Sequence, residues 1–164
     1  MNLRPYQDSD ASVLSEVAVA AFSEYAQHYT DWPVFSHRIA NIAALASSGE
    51  IIVAEIDRVP VGMVAYVSPS MPKLAFFQPQ WATMRMLVVH QAARGHGIGR
   101  ALANECLRRG ERDQASTFAL HTSEVMSVAL PMYSRMGFSY HGPAPEIFGV
   151  KYNVYTRNSS AVPA

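Results

Sequence analysis

Arg94-Gly95-His96-Gly97-Ile98-Gly99 sets three glycines at alternate positions, directly after an apolar run from Met84 to Val89 and directly before a helical pattern that starts at Ile98. A strand leading through glycines into a helix N-terminus suits an anion. The first helical turn presents unpaired N–H groups and the positive end of the helix dipole. Glycine lets the main chain approach a ligand with no Cβ in the way. The expected chemistry is the binding of a phosphate-bearing ligand; the alternative is a glycine-rich turn that only caps a helix. Spacing excludes two common phosphate loops. A P-loop needs Lys then Ser or Thr after its last glycine, and here Arg100-Ala101 follows Gly99. The dinucleotide fingerprint needs G-x-G-x-x-G at the first strand-to-helix turn, whereas this chain has G-x-G-x-G with strands expected before it.

The pattern the loop does match is Arg-x-x-Gly-x-Gly. Further along stands Leu130-Pro131-Met132-Tyr133-Ser134-Arg135-Met136-Gly137-Phe138: an apolar residue, a tyrosine, three residues, then Gly-Phe. In this order the two motifs resemble the coenzyme A pyrophosphate loop and the second signature of the GCN5-related N-acetyltransferase (GNAT) family. The resemblance spans nearly the whole chain, is most specific from Met84 to Phe138 and is weak before Val53. It implies acetyl-CoA as acyl donor, without a metal, and a primary amine of a small molecule or peptide as acceptor. It implies that Arg94, Gly95, His96, Gly97, Ile98 and Gly99 hold the pyrophosphate on main-chain N–H groups, with Arg100 pairing a phosphate. It implies that the pantetheine arm lies along Leu87, Val88 and Val89 between two splayed parallel strands, and that an N–H near Val88 polarises the thioester carbonyl.

Tyr133, four residues before Gly137, matches the family's catalytic tyrosine. Attack on a thioester expels a thiolate, and a phenol at pKa about 10 facing a thiol at about 8.5 can deliver the proton. The other reading is a helix tyrosine with a buried ring. Two departures from the family concern the acceptor side: Thr83 stands where many relatives carry a strand glutamate, and Met126 replaces a helix asparagine. Glu124, His121, Glu24, His28 or a water are the candidate bases, and a weakly basic acceptor needs none.

Tyr29, Trp32 and Phe35, with Phe76, Phe77 and Trp81 on a second irregular segment, are candidates to line an apolar or aromatic acceptor pocket; core packing is their alternative. The six histidines lack metal-ligand spacing, one cysteine cannot build a thiolate site, and no Gly-x-Ser-x-Gly elbow occurs.

With 164 residues, 49% of them hydrophobic and 16% charged, the chain reads as one globular domain over 1–157 with a disordered tail over 158–164. Zero formal net charge opposes nucleic acid and anionic membranes as partners. Arg108, Arg109 and Arg112 read as a solvated helix face. Cys106, the sole cysteine, excludes an intrachain disulfide and falls on an apolar helix face as a small buried hydrophobe. No signal-peptide pattern and no spanning apolar run is seen, so the expected location is cytoplasmic. A homodimer is left open.

To position these groups the pattern predicts a strand at Asn2–Tyr6, a helix to about Tyr25, an irregular aromatic stretch at Tyr25–Phe35, and a helix from Ser36 to near Gly49. A hairpin of Ile51–Ile56 with Val61–Val67 follows, then a proline-rich loop and a strand at Trp81–Val89. A helix at Ile98–Arg109 stops at Gly110. Then come a strand at Thr117–His121, a helix at Val125–Met136 with Pro131 inside it, and strands at Phe138–His141 and Val150–Thr156. This is an α/β (α+β) chain: a GNAT-like mixed, mostly antiparallel sheet of six to seven strands with helices on both faces. Two functions are compatible with it, an acetyl-CoA-dependent N-acetyltransferase or a non-catalytic acyl-CoA-binding sensor or scaffold of the same fold.

Overall fold

Runs such as Ile51-Ile52-Val53-Ala54 and Met63-Val64-Ala65-Tyr66 have no polar face, and strands of that kind need cover on both sides. In the computed structural model, which describes residues 1–159, both lie inside one seven-stranded sheet. The strands are β1 (Asn2–Pro5), β2 (Glu50–Ile56), β3 (Val59–Val67), β4 (Ala82–Val89), β5 (Thr117–Thr122), β6 (Ser139–Ile147) and β7 (Val150–Asn158). Their order is β1-β2-β3-β4-β5-β7-β6, and every neighbouring pair is antiparallel except β4 with β5. Successive residues feed two cores. Ile52, Ala54, Val64 and Tyr66 pack on the side of α4 (Ile98–Arg112) and α5 (Ala129–Arg135). Ile51, Val53, Met63 and Ala65 pack on the side of α1 (Ala11–Ser23), α2 (Trp32–Ile39) and α3 (Ile42–Ser48). The expected mixed sheet with helices on both faces is the fold observed.

Several element boundaries differ from expectation, each for a local reason. The β2–β3 hairpin closes on two residues, Asp57 and Arg58, both at positive φ (51° and 65°), as the twist-matched type I′ turn requires. The helix expected from Ser36 to Gly49 is two helices, because Asn41 caps α3 by accepting the Ala44 N–H at 3.2 Å. The stretch Tyr25–Phe35 is not irregular throughout: α2 already begins at Trp32, with Pro33 in its first turn. Gly110 does not stop α4 but sits within it, where a Cβ would meet the Phe118 ring at 2.8 Å. α5 starts only at Ala129, which puts Pro131 in the first turn, where its missing N–H costs no helical bond. β7 runs on to Asn158, and the Ser159 N–H donates to the Ser116 carbonyl at 3.0 Å. The remainder of the expected tail, residues 160–164, lies outside the described residues.

β4 carries two irregularities. It pairs with β5 only through Ala82↔Phe118 and Thr83↔Ala119, so from Met84 onwards the two parallel strands part. On its other edge, Ala65 faces Arg85 but Met63 faces Val88, so Met86 and Leu87 together oppose Val64. This is a bulge, and Met86 adopts φ 58° within it, a conformation that costs a non-glycine residue about 1–2 kcal/mol.

Candidate active site

Beyond β4, Gly95 and Gly97 turn the chain at φ 82° and 75°, and Gly97 is the N-cap of α4. Neither would crowd a neighbour with a Cβ; it is the left-handed backbone that calls for glycine. Among the described residues no group accepts a hydrogen bond from any backbone N–H between Gly95 and Arg100, and the first turn of α4 has no side-chain cap. Intrahelical bonding resumes with the Ala101 N–H, which donates to the Gly97 carbonyl at 3.0 Å. A run of unsatisfied N–H groups at a helix start is an anion cradle. Arg94 is not turned to it: its guanidinium donates to Glu24 at 2.6 Å, and Gln91 donates to the same oxygen at 2.8 Å, tying the loop to the end of α1. The Arg94 N–H is also used, donating to Gln91. Arg100 is exposed and forms no ion pair among the described residues.

The parting of β4 and β5 leaves main chain open inside the sheet. The His90 N–H donates to Val61 on β3 at 2.7 Å. Alternation along the strand sends the Val88 N–H the same way and the Val89 N–H towards the gap. Beside this gap lies a cleft of about 560 Å³ whose lining includes Met84 to Leu87 of β4, Leu120 to Thr122 of β5 and Tyr133 of α5. Tyr133 is buried and packs edge-on against Phe138. Its helix ends at Gly137, φ 93°, where the Phe138 N–H donates back to the Tyr133 carbonyl at 3.0 Å. The Tyr133 hydroxyl has no hydrogen-bond partner among the described residues, yet is not sealed from the cleft. Burial, then the nearby Cys106, holds its pKa well above the ordinary phenol range. Tyr133 is therefore protonated, with its proton uncommitted.

The structure separates the candidate bases. Glu24 is engaged with Arg94. His28 and Glu124 line a smaller hollow of about 220 Å³ with Lys151 and Asn153. Thr83 is buried where β4 and β5 still pair and does not line the cleft. His121 alone of them lines it, its ring among Phe76, Phe77 and Tyr152, its Nδ1 buried and unpartnered. Burial and then the charge of Arg85 push its pKa down to about 4. The cleft residue that sequence reasoning misses is Arg85. A lone arginine inside the apolar run Met84 to Val89 is the available signal.

His121 makes stability depend on pH. Unfolded, it protonates near 6.5; folded, it resists until about 4. The unfolded chain thus binds the extra proton between these values, so stability is full above 6.5 and falls as pH drops towards 4, by roughly 3 kcal/mol. Asp10 beside Arg4 and Asp113 beside Arg112, both with lowered pKa, lose their contributions further down. Urea unfolding at pH 7 and pH 4.5 should show a larger loss for the parent protein than for His121→Phe. Equal losses would locate the effect elsewhere.

Of the aromatic acceptor candidates, Phe35 and Phe76 line the cleft, joined by Phe22 and Tyr152. Tyr29 and Trp32 do not: Tyr29 is core, stacked on Phe35 at 4.3 Å with its hydroxyl bonded to that of Tyr152, and Trp32 packs edge-on against Phe35. Phe77 and Trp81 are buried in a small core of their own with Ala119 and Val154. Met126 lines the cleft as an apolar wall. Cys106 is sealed under α4, its thiol pKa raised by burial. Arg109 and Arg112 pair with Glu50, and Arg108 with Glu105. Among the described residues there is no cluster of three or more His, Cys, Asp or Glu that would hold a metal, and no helix long and apolar enough to cross a membrane.

A strand that leaves its parallel neighbour, an unpaired N–H cradle at its end and a protonated tyrosine beside the gap make up the candidate site. Residues 12–138 match the acetyltransferase (GNAT) family, and the chain belongs to that family. A GCN5-related N-acetyltransferase from Rhodopseudomonas palustris is 22% identical with a TM-score of 0.73, over 96% of this chain and 94% of that one. A GNAT-family acetyltransferase from Staphylococcus aureus is 19% identical with a TM-score of 0.74, over 96% and 98%. A putative acetyltransferase from Salmonella typhimurium, yncA, solved with its cofactor acetyl-CoA, is 16% identical with a TM-score of 0.69, over 100% and 96%. At these identities the likeness is one of fold. No curated protein matches the chain.

Proposed function

We propose that the protein transfers an acetyl group from acetyl-CoA to the primary amine of a small molecule or peptide by direct attack, with Tyr133 protonating the leaving thiolate. The observation that carries this is the uncommitted Tyr133 hydroxyl on a cleft flanked by the parted strands, with the unpaired N–H groups of Gly95 to Arg100 at the end of the same strand. The donor's pyrophosphate rests on those N–H groups, and Arg100 meets a phosphate. Its arm lies along Leu87 to Val89 as an added strand would, and the thioester carbonyl is polarised by the gap-facing N–H of Val89, next to Val88, whose own N–H turns to β3. The amine nitrogen bonds to the carbonyl carbon, the carbon–sulfur bond breaks, and Tyr133 gives sulfur its proton, which it regains from solvent as the proton leaving nitrogen is released there. Nitrogen becomes strongly acidic as it bonds, so neutral His121, though a weak base, or a water suffices to take its proton.

A second reading, acyl-CoA binding without turnover, is favoured by one feature: among the described residues no carboxylate lines the cleft. The test is free-thiol release from acetyl-CoA across a panel of amines, amino acids and peptides, with the N-acetyl product identified by mass. Release that requires an amine supports transfer; binding of acetyl-CoA with no release across the panel supports the sensor.

A further inference from the structure

We propose that the acceptor brings a carboxylate of its own, received by Arg85, and is an amino acid with an apolar or aromatic body rather than a simple amine or a peptide N-terminus; this rests on the acetyl-transfer reading above.

Arg85 stands on β4 immediately before the bulge, and its side chain lines the cleft. Its Nε is buried without a partner, and none of its guanidinium nitrogens makes a hydrogen bond or ion pair among the described residues. Arg4, Arg94, Arg108, Arg109 and Arg112 each reach a carboxylate, and among the other arginines of the described residues only Arg85 has a nitrogen both buried and unpartnered. A guanidinium cannot shed its proton, so half-burying it, with its Nε shut off from water, is unfavourable until an anion arrives. The cleft supplies none: its charged lining residues are Arg85 and Arg38, and His121 beside Arg85 is neutral. The donor's phosphates are not the missing partner, since the cradle that takes them begins past the end of β4, ~13 Å of strand from Arg85. A planar fork beside the bulge fits a carboxylate through two parallel N–H bonds. It would hold that carboxylate next to the place where the thioester carbon meets an amine on the adjacent carbon. Phe22, Phe35 and Phe76 on the remaining walls suit an apolar body.

The test uses matched triplets: an apolar amino acid, its carboxamide and its decarboxylated amine, such as phenylalanine, phenylalaninamide and phenethylamine, with leucine and methionine sets beside them. The acid is expected to exceed the amine in kcat/KM by about 10²-fold, the worth of a close, enclosed charge pair. Arg85→Met should collapse that ratio to near one, and Arg85→Lys should restore part of it. Arg85→Met should also melt higher, by about 2–4 °C, because a half-buried charge with no partner gives way to an apolar side chain. Equal use of acid, amide and amine, an unchanged ratio in Arg85→Met, or a lower melting temperature would overturn the proposal while leaving acetyl transfer standing. If no amine of any kind is acetylated, the transfer reading fails, and calorimetry of the acids on protein saturated with coenzyme A decides the carboxylate site separately. Binding that Arg85→Met abolishes upholds it, and no binding overturns it.

Discussion

Tyr133→Phe is expected to lower kcat by at least 10²-fold while the KM for acetyl-CoA and the melting temperature stay near those of the parent protein. The ring is what packs, against Phe138 and within the core shared by α4 and α5, and phenylalanine keeps it. The hydroxyl has no partner among the described residues, so its loss breaks no internal hydrogen bond. What disappears is the proton for the departing sulfur, a contribution of 10²–10⁴ in rate for a positioned acid. The raised pKa of Tyr133 does not disqualify it. The burial that disfavours the phenolate equally disfavours a thiolate leaving into the same cleft, so transfer between them stays near balance. Because the phenol is protonated throughout the working range, the pH profile of kcat should carry no limb from Tyr133 between pH 5 and 9. An unchanged kcat would return Tyr133 to packing alone, or show that a step other than chemistry limits turnover.

Gly97→Val is expected to weaken acetyl-CoA binding by at least 10²-fold in a protein that still folds. A β-branched residue at φ 75° is strained by about 1–2 kcal/mol, and the loop relieves that by rotating peptide units whose N–H groups form the cradle. α4 itself stays seated, because Ile98, Leu102 and Cys106 are buried in the core and a Cβ at position 97 touches nothing within 4 Å. The melting temperature should therefore fall by only about 2–8 °C. Gly142→Ala, at a glycine with open space and no positive φ, is the control and should change neither property. Calorimetry with acetyl-CoA reads the result; unchanged affinity in folded Gly97→Val would remove the ground for placing phosphates on this loop.

Motifs carried by main-chain chemistry are legible from residue order. Glycines placed as Gly95 and Gly97 just before a helical pattern can do little but turn the chain and bare its N–H groups, and that is where the structure has them, with Gly99 already inside α4. Tyr133 and Gly137 keep their offset because the short helix that holds Tyr133 ends on the turn made at Gly137. The strands are legible too, since Ile51 to Ala54 and Met63 to Tyr66 admit only a position with cover on both faces.

The walls of the cleft are not legible. Tyr29 and Trp32 share the aromatic character of Phe35, but only Phe35 reaches the cleft, because α2 begins at Trp32 and turns its neighbours onto Tyr152 and one another. Residue order places Arg94 at the phosphates, yet it meets Glu24, distant in sequence. Thr83 is the strand position that stands in place of the family's glutamate, yet β4 and β5 still pair there, and the charged residue of β4 that lines the cleft is Arg85. Sequence alone therefore determined the layered fold, the glycine turn ahead of α4 and the place of Tyr133 on its helix, since periodicity, glycine conformation and helix ends act within a few residues. Only the tertiary structure decided which side chains share the cleft. That depends on where β4 leaves β5 and how the bulge at Met86 and Leu87 resets its facing, both of which are settled by packing between segments far apart in the chain.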